Sequence, residues 1–294
     1  MNSRGWINLL LVLLLLGLLA IAIYEPGKPN KAEVPRITGL MPQNVHKLRI
    51  EDTGRTPVLL RKDNGRWMMT SPLRVPADEG RIESLLRVLQ AKSIAQYPMS
   101  QVDANQLQLD SPVLVLRVDD MTLRFGTTDA LGGSRYVQVG NTVHLITDRY
   151  SHLVRGPATN LISPLLLPMQ EAAAIVALEL PGLHLQQEEG RWTADGKMVP
   201  GDARQTLLDE WRHARALRVT IAATSPGASQ ATQHVRIWLK HKDTLQSVDF
   251  SLLAGDSEVI LRRDDLDIQY HLPTDAARRL LALPAAHPGR QTAK

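Results

Sequence analysis

The chain has 294 residues, enough for about two domains, and its 44% apolar and 22% charged content excludes wholesale disorder. The absence of cysteine excludes disulfides, thiolate metal sites and cysteine nucleophiles. The net charge of +4 arises from 34 basic and 30 acidic residues, a balance too even to indicate a nucleic-acid partner.

An apolar run opens the chain, from residue 7 to 23, with Trp6 before it and Tyr24 after it. A helix over 6–24 would be about 28 Å long, close to the hydrocarbon thickness of about 30 Å, with both aromatic rings at interface depth. We therefore predict that 1–24 is a signal anchor, that its transmembrane helix inserts 6–24 into the lipid bilayer, and that Trp6 and Tyr24 are its membrane-interface residues. The alternative is a cleavable signal peptide, because Ala20-Ile21-Ala22 has the small-x-small form of a cleavage site.

The orientation follows from the short tail before the helix, which is easier to leave inside than the long remainder. We expect a single-pass protein of the bacterial inner membrane with a cytoplasmic N-terminus and a periplasmic body. Residues 25–44 contain four prolines and no apolar periodicity, so they are predicted to form an extended stalk.

An internal repeat follows the predicted stalk. Its anchors are Gly65-Arg66-Trp67 with Gly190-Arg191-Trp192, Val75-Pro76 with Val199-Pro200, Phe125 with Phe250, and Leu145-Ile146-Thr147-Asp148 with Leu272-Pro273-Thr274-Asp275. The spacing between the partners is nearly constant, which indicates the duplication of one unit.

Each copy has the same predicted order of elements. A hairpin turns at Asn64-Gly65, an amphipathic helix follows over 78–95 in the first copy and 202–217 in the second, and a meander of short strands completes the unit. Short turns between strands favour antiparallel pairing, so the predicted fold class is α+β: one transmembrane helix, then two tandem repeats of antiparallel sheet with a packing helix.

The predicted layout has six segments. They are the anchor 1–24, the stalk 25–44, repeat 1 over 45–155, a proline-containing junction 156–170, repeat 2 over 171–283, and a flexible tail 284–294.

Several motifs together resemble one family. They are Asn64-Gly65-Arg66-Trp67, Ser71-Pro72, Pro76-Ala77-Asp78, Leu107-Gln108-Leu109-Asp110-Ser111-Pro112, Leu123-Arg124-Phe125-Gly126 and Tyr136-Val137-Gln138-Val139. This pattern resembles the bacterial domain of unknown function 4340 (DUF 4340) family over about 60–150 and, in degraded form, 185–280. Gln108 stands where the family usually has glycine. The resemblance implies a single-pass envelope protein, in some members encoded beside parts of an ABC transporter, and it supplies no catalytic residues.

Other candidate sites have simple structural interpretations. The glycine-bearing loop 126–135 could bind an anion, but it lacks the ending of a phosphate loop. His234 and His241 lack a metal-ligand spacing, and Asp264, Asp265 and Asp267, which resemble calcium ligands, lie between two predicted strands and fit a solvated turn better. We predict no metal, no cofactor and no catalytic residue, and therefore no enzyme.

The sequence thus favours a non-enzymatic, membrane-anchored envelope protein that offers a docking surface to a protein partner, in a transport or envelope-assembly complex. The alternative is a periplasmic module that binds a solute or polymer in a cleft between the repeats, lined by Arg135, Tyr136 or Arg155. Nucleic acid is not expected as a partner.

Overall fold

The computed structural model describes residues 3–24, 34–130, 132–167, 173–188, 190–222, 233–254 and 258–284, and in the first helix the side chains of 6, 7 and 9–20. Within these ranges the chain forms two nine-stranded sheets, whose strands all pair antiparallel, and five α-helices. The α+β class and the tandem arrangement are as predicted.

The first sheet contains β1 (Lys47–Asp52), β2 (Val58–Asp63), β3 (Arg66–Ser71), β4 (Val75–Pro76), β5 (Ala95–Pro98), β6 (Leu114–Val118), β7 (Met121–Thr128), β8 (Ser134–Val139) and β9 (Thr142–Thr147). The second contains β10 (Ala174–Leu180), β11 (Leu183–Glu188), β12 (Arg191–Ala194), β13 (Lys197–Met198), β14 (Arg218–Ile221), β15 (Gln233–His241), β16 (Thr244–Ala254), β17 (Glu258–Arg263) and β18 (Ile268–Pro273).

The helices are α1 (Ser3–Tyr24), α2 (Glu79–Leu86), α3 (Ser151–Val154), α4 (Gly201–His213) and α5 (Thr274–Leu281). Single turns of 3-10 helix cover Pro42–Asn44, Arg87–Gln90, Met99–Gln101 and Ala158–Leu161.

Both sheets have the same strand order. The first runs β4-β3-β2-β1-β6-β7-β8-β9-β5, and the second runs β13-β12-β11-β10-β15-β16-β17-β18-β14, which is the same order with each strand replaced by its counterpart. Trp67 and Trp192 are buried at matching places in β3 and β12, as are Phe125 and Phe250 in β7 and β16. The duplication read from the sequence is therefore present in the topology.

One repeat anchor is wrong. Val75-Pro76 forms β4, whose counterpart β13 is Lys197–Met198, so Val199-Pro200 lies two residues further along the chain than the anchor requires. The backbone N–H of Ala77 and that of Val199 both donate to the tryptophan carbonyl of their repeat, which makes these two residues equivalent.

One helix packs on each sheet through an aliphatic face. In α2 the buried residues are Ile82, Leu85 and Leu86, and in α4 they are Leu207, Leu208 and Trp211. Trp211 fills more volume than an aliphatic side chain, and its indole N–H donates to the Leu280 carbonyl of α5 at 2.8 Å, so the larger side chain is packed and its polar atom is satisfied.

Both helices end earlier than the periodicity predicted, α2 at Leu86 and α4 at His213. After α2 the chain continues as the 3-10 turn Arg87–Gln90, and the carbonyl of Ala91 then accepts from the Ile37 N–H; after α4 the carbonyl of Ala214 accepts directly from the Leu166 N–H. A tertiary hydrogen bond at these places replaces the next helical one.

Residues 34–44 are not part of an extended stalk. Ile37 is 5% exposed, Val45 just beyond is fully buried, and Ser93 N–H donates to the Pro35 carbonyl at 2.8 Å, so this segment lies against repeat 1. The stalk residues 25–33, like 285–294 of the tail, lie outside the described residues.

Helix α1 is apolar and exposed: the described large side chains between Trp6 and Leu19 are 53–66% exposed. No helix among the described residues is long and apolar enough to cross a membrane, and in α1 the described side chains are continuous only over 9–20. The predicted transmembrane helix is therefore not confirmed.

Candidate functional site

The residues predicted to bind a ligand are not gathered in one cleft. Arg135 and Tyr136 lie on β8, with the Arg135 side chain 19% exposed, and Arg155 is exposed just after α3. Of the predicted interface residues, Trp6 is 61% exposed, and the side chain of Tyr24 lies outside the described atoms.

The Arg135 guanidinium is engaged within repeat 1. Its Nε donates to Asp148 Oδ2 at 2.7 Å, and its Nη1 donates to the Gly126 carbonyl at 2.5 Å. Asp148 also accepts from the Ser151 hydroxyl at 2.9 Å and from the Ser151 N–H at 3.2 Å. Burial raises the pKa of Asp148, but the hydrogen bonds from Ser151 and Arg135 outweigh it and hold the pKa below its ordinary value. This network joins β7, β8 and the first turn of α3.

The loop 126–135 bonds to itself and to its neighbours. The Ser134 N–H donates to Asp129 Oδ1 at 3.0 Å, the Gly132 N–H donates to the Asp129 carbonyl at 2.9 Å, and the Asp129 N–H donates to the Ser134 carbonyl at 2.9 Å. Because these amides are already bonded, the described loop does not offer them to an anion.

Two of the acidic candidates, Asp264 and Asp265, are likewise engaged. Asp264 accepts from Ser251 at 2.9 Å and pairs with Arg262, while Asp265 pairs with Arg263 at 2.6 Å. Among the described residues no group of three or more potential ligands could hold a metal ion. The arrangement of these carboxylates is that of an ion-paired turn.

A hydroxyl, an imidazole and a carboxylate form one hydrogen-bonded triplet of side chains in repeat 2. His271 is 5% exposed, with Nε2 2.8 Å from Thr220 Oγ1 and Nδ1 2.8 Å from Glu258 Oε1. The hydrogen bond from His271 lowers the pKa of Glu258, burial opposes the shift, and Arg218 at 2.7 Å adds to it. The sequence did not predict this triplet, because its three residues come from three different strands and their spacing matches no known motif. These contacts satisfy the hydrogen-bonding groups of a buried imidazole, which accounts for the arrangement.

A cleft of about 580 Å³ lies where the two repeats meet, and we call it the junction cleft. Its apolar wall combines β1 and β2 of repeat 1, the segment 153–161, and the end of β14, with Ile50, Val58, Val154, Leu161 and Ile221 as principal side chains. Asp52, Arg55, Thr56 and Asn160 supply its polar groups. A concave, mainly apolar site with a few polar groups at an interface between units is a typical small-molecule site.

The junction segment holds this cleft by backbone hydrogen bonds to both repeats. On one side Asp78 N–H donates to the Leu161 carbonyl at 2.8 Å, and Ser163 N–H donates to the Pro76 carbonyl at 2.9 Å. On the other side Ala216 N–H donates to the Pro164 carbonyl at 2.8 Å. The two sheets are thus linked through one segment, and the cleft lined by repeat 1 and this segment meets repeat 2 at Ile221.

A pair of aliphatic side chains is exposed at equivalent places in the two repeats, and we call Ile94 and Leu217 the edge pair. Ile94 is 57% exposed and Leu217 is 78% exposed. Each precedes the edge strand of its sheet, β5 or β14, and each donates its N–H to the neighbouring strand, at the carbonyl of Leu145 or His271. The sequence signal was weak, because each residue lies at the end of a segment that was predicted to be helical.

Comparison with known proteins gives one family and no individual relative. The family described as Domain of unknown function (DUF4340) matches residues 67–230, more than half of the 294-residue chain, from β3 of the first sheet to beyond β14 of the second. No curated protein and no solved structure matches the chain. The extent of this match, together with the motifs that resemble the family, shows that the chain belongs to the DUF4340 family.

Proposed function

We propose that this protein is a non-enzymatic docking protein of the bacterial envelope, in a transport or assembly complex, and that the edge pair is its contact surface. The observation that carries this proposal is the exposure of Ile94 and Leu217 at one structural position in both repeats. Large aliphatic side chains beside an open sheet edge are the features by which a partner strand or apolar surface docks.

The proposal includes a tether. Helix α1, with its exposed leucines, would insert into the inner membrane and leave the N-terminus in the cytoplasm, so that both repeats lie in the periplasm. A protease-protection assay on spheroplasts tests this. External protease should digest the repeats before lysis, whereas resistance until lysis would reverse the orientation. A mature product that lacks 1–24 would show cleavage instead of anchoring.

Purification of the full chain in mild detergent tests the docking surface. Burial of one leucine or isoleucine contributes about 1.5–3 kcal/mol, so the double variant Ile94→Asp and Leu217→Asp should lose a defined partner that the wild-type protein retains. Leu245→Asp is the matched control, because Leu245 is 58% exposed but lies on β16, away from the sheet edges. Retention of the partner by the double variant, or turnover of an envelope substrate by the isolated chain, would contradict the proposal.

A second candidate function is solute binding in the junction cleft. The cleft of about 580 Å³ supports it, since pockets of roughly 300–1,000 Å³ commonly hold small molecules. Its lining differs from the predicted one, because Arg135, Tyr136 and Arg155 are not among the cleft residues. The mainly apolar wall favours a small apolar solute over a charged polymer.

A further inference from the structure

We infer that the junction cleft binds a single-chain, uncharged amphiphile: an aliphatic chain that carries a small hydroxyl-bearing head group. This inference rests on the proposed solute-binding use of the cleft and names the chemical class of the solute. It is carried by the walls, the polar groups and the size of the cleft.

The walls select an aliphatic chain. Ile50, Val58, Val154 and Leu161 are 3–6% exposed and present branched aliphatic surface, and Ile221, which is 45% exposed, lies at the opening. The described lining contains no aromatic ring, so the cleft offers dispersion contacts to methylene groups but no ring stacking to a planar solute.

The polar groups select a head group without net charge. Arg55 Nε lies 3.4 Å from Asp52 Oδ2, so the two opposite charges of the rim compensate each other. A carboxylate head attracted to Arg55 would be repelled by the adjacent Asp52, and an ammonium head attracted to Asp52 would be repelled by Arg55, so the pair favours neither charge. The hydroxyl of Thr56 and the side-chain amide of Asn160 have no hydrogen-bond partner among the described residues, and both groups donate and accept.

The apolar walls and the polar groups together define where the two ends of the ligand would lie. The chain would lie between β1, β2 and the 153–161 segment, and the head would lie at Thr56 and Asn160. A hydroxyl-bearing head matches a neighbouring donor and acceptor without the desolvation of a charge.

Photoaffinity labelling tests the inference on the full chain in lipid nanodiscs. The probe is a medium-chain monoacylglycerol with a diazirine in its alkyl chain, and the adducts are mapped by mass spectrometry. We expect adducts within 50–58 and 153–161. Unlabelled monoacylglycerol should displace the probe at a concentration about tenfold lower than the fatty acid or the alkylamine of the same chain length.

Two variants localise the labelling. Ile221→Asp places a charge at the opening, on a side chain exposed enough for the fold to tolerate it, and should reduce cleft labelling by about tenfold. Leu245→Asp also replaces an exposed aliphatic side chain, 58% exposed and outside the cleft, and should leave labelling unchanged.

The outcomes separate the ligand class from the solute-binding function. If the fatty acid or the alkylamine displaced the probe at the same concentration as the monoacylglycerol, the uncharged head group would be wrong, but solute binding in the cleft would still hold. Adducts confined to α1, to lipid-facing sites or to positions that Ile221→Asp does not affect would overturn both. Labelling by probe embedded in the disc but not by monomeric probe would identify a membrane lipid as the source of the chain.

Discussion

At the scale of single residues, the strongest constraints come from side chains that join distant segments. Arg135 was predicted to contact a ligand, yet its guanidinium is held by Asp148 and by the Gly126 carbonyl. Its charge indicated binding, and only the fold revealed a carboxylate thirteen residues away as its partner. Arg135 therefore has a structural role that its sequence neighbours did not indicate.

Asp148→Asn should destabilise repeat 1 by about 1.5–3 kcal/mol, because it removes a charge-assisted hydrogen bond from a pair whose side chains are 19% and 15% exposed. Urea unfolding measures the change. Glu83→Gln is the control: its pair with Arg87 has both side chains at least 66% exposed, so it should shift stability by less than about 0.5 kcal/mol.

The same pair predicts a pH dependence. Since the pKa of Asp148 is lower in the folded protein than its ordinary value of 3.8, the carboxylate stabilises the fold fully above that value and loses the contribution as the pH falls below it. The difference in unfolding free energy between the wild-type protein and Asp148→Asn should therefore shrink under acidic conditions. A difference that grows toward low pH would contradict this assignment.

Gly126 illustrates a different constraint, the close approach of two backbones. A Cβ added there would lie 2.3 Å from the Leu107 carbonyl oxygen, so Gly126→Ala must shift the backbone at Leu107. We expect a loss of about 1–3 kcal/mol by urea unfolding. Gly133→Ala, which meets nothing within 4 Å, should be near neutral, and equal effects of the two variants would exclude the steric explanation.

At the scale of elements, local signals were reliable where the stabilising contacts are also local. Asn64 and Gly65 have φ of 49° and 81°, the left-handed pair that a tight hairpin turn requires, and the turn was predicted from these two residues. The first amphipathic helix was predicted to begin at residue 78, and Asp78 is its N-cap, since its side chain accepts from the Arg81 N–H at 3.2 Å.

Asp78→Ala should therefore destabilise the protein by about 1 kcal/mol through the lost cap of α2. Asp78→Ser is the matched variant, because a serine hydroxyl can still accept from the Arg81 N–H and should restore most of the loss. Thermal unfolding of the three proteins measures the order. Equal losses for alanine and serine would indicate that the ion pair with Arg81 matters more than the cap.

Element ends were predicted less well. The predicted helices continued past Leu86 and His213, but the chain leaves helical structure at Ala91 and at Ala214, whose carbonyls accept from the N–H groups of Ile37 and Leu166. The partners are far away in the sequence, so no local pattern could reveal them. The short strands β4, β5, β13 and β14 were missed for the same reason, since each contains only two to four residues and exists through its pairing.

At the scale of the whole molecule, the junction determines how the repeats act together. Buried residues of both repeats form one continuous hydrophobic cluster that includes Leu161, Ile162, Leu166 and Leu167 of the junction. The segment therefore does more than connect two domains, because its side chains are part of the core that both repeats share.

Ile162→Ala should cost about 2–5 kcal/mol, because Ile162 is 3% exposed and its truncation leaves a cavity between the repeats. Calorimetry of the wild-type protein should show one transition, whereas in the variant the repeats should unfold in two steps. Ile94→Ala, at a side chain that is 57% exposed, is the control and should keep a single transition at nearly the wild-type temperature. Two transitions in the wild-type protein would show that the shared core does not couple the repeats.

By itself the amino-acid sequence determined the duplication, the antiparallel hairpins and the amphipathic helices, because alternation, helical spacing and turn residues act over a few neighbours. Only the tertiary structure decided where 34–44 lies, what Arg135 binds, and that the junction lines a cleft. The physical reason is that each of these depends on hydrogen bonds and apolar contacts between segments tens of residues apart, whose partners are chosen when the sheets assemble around one core.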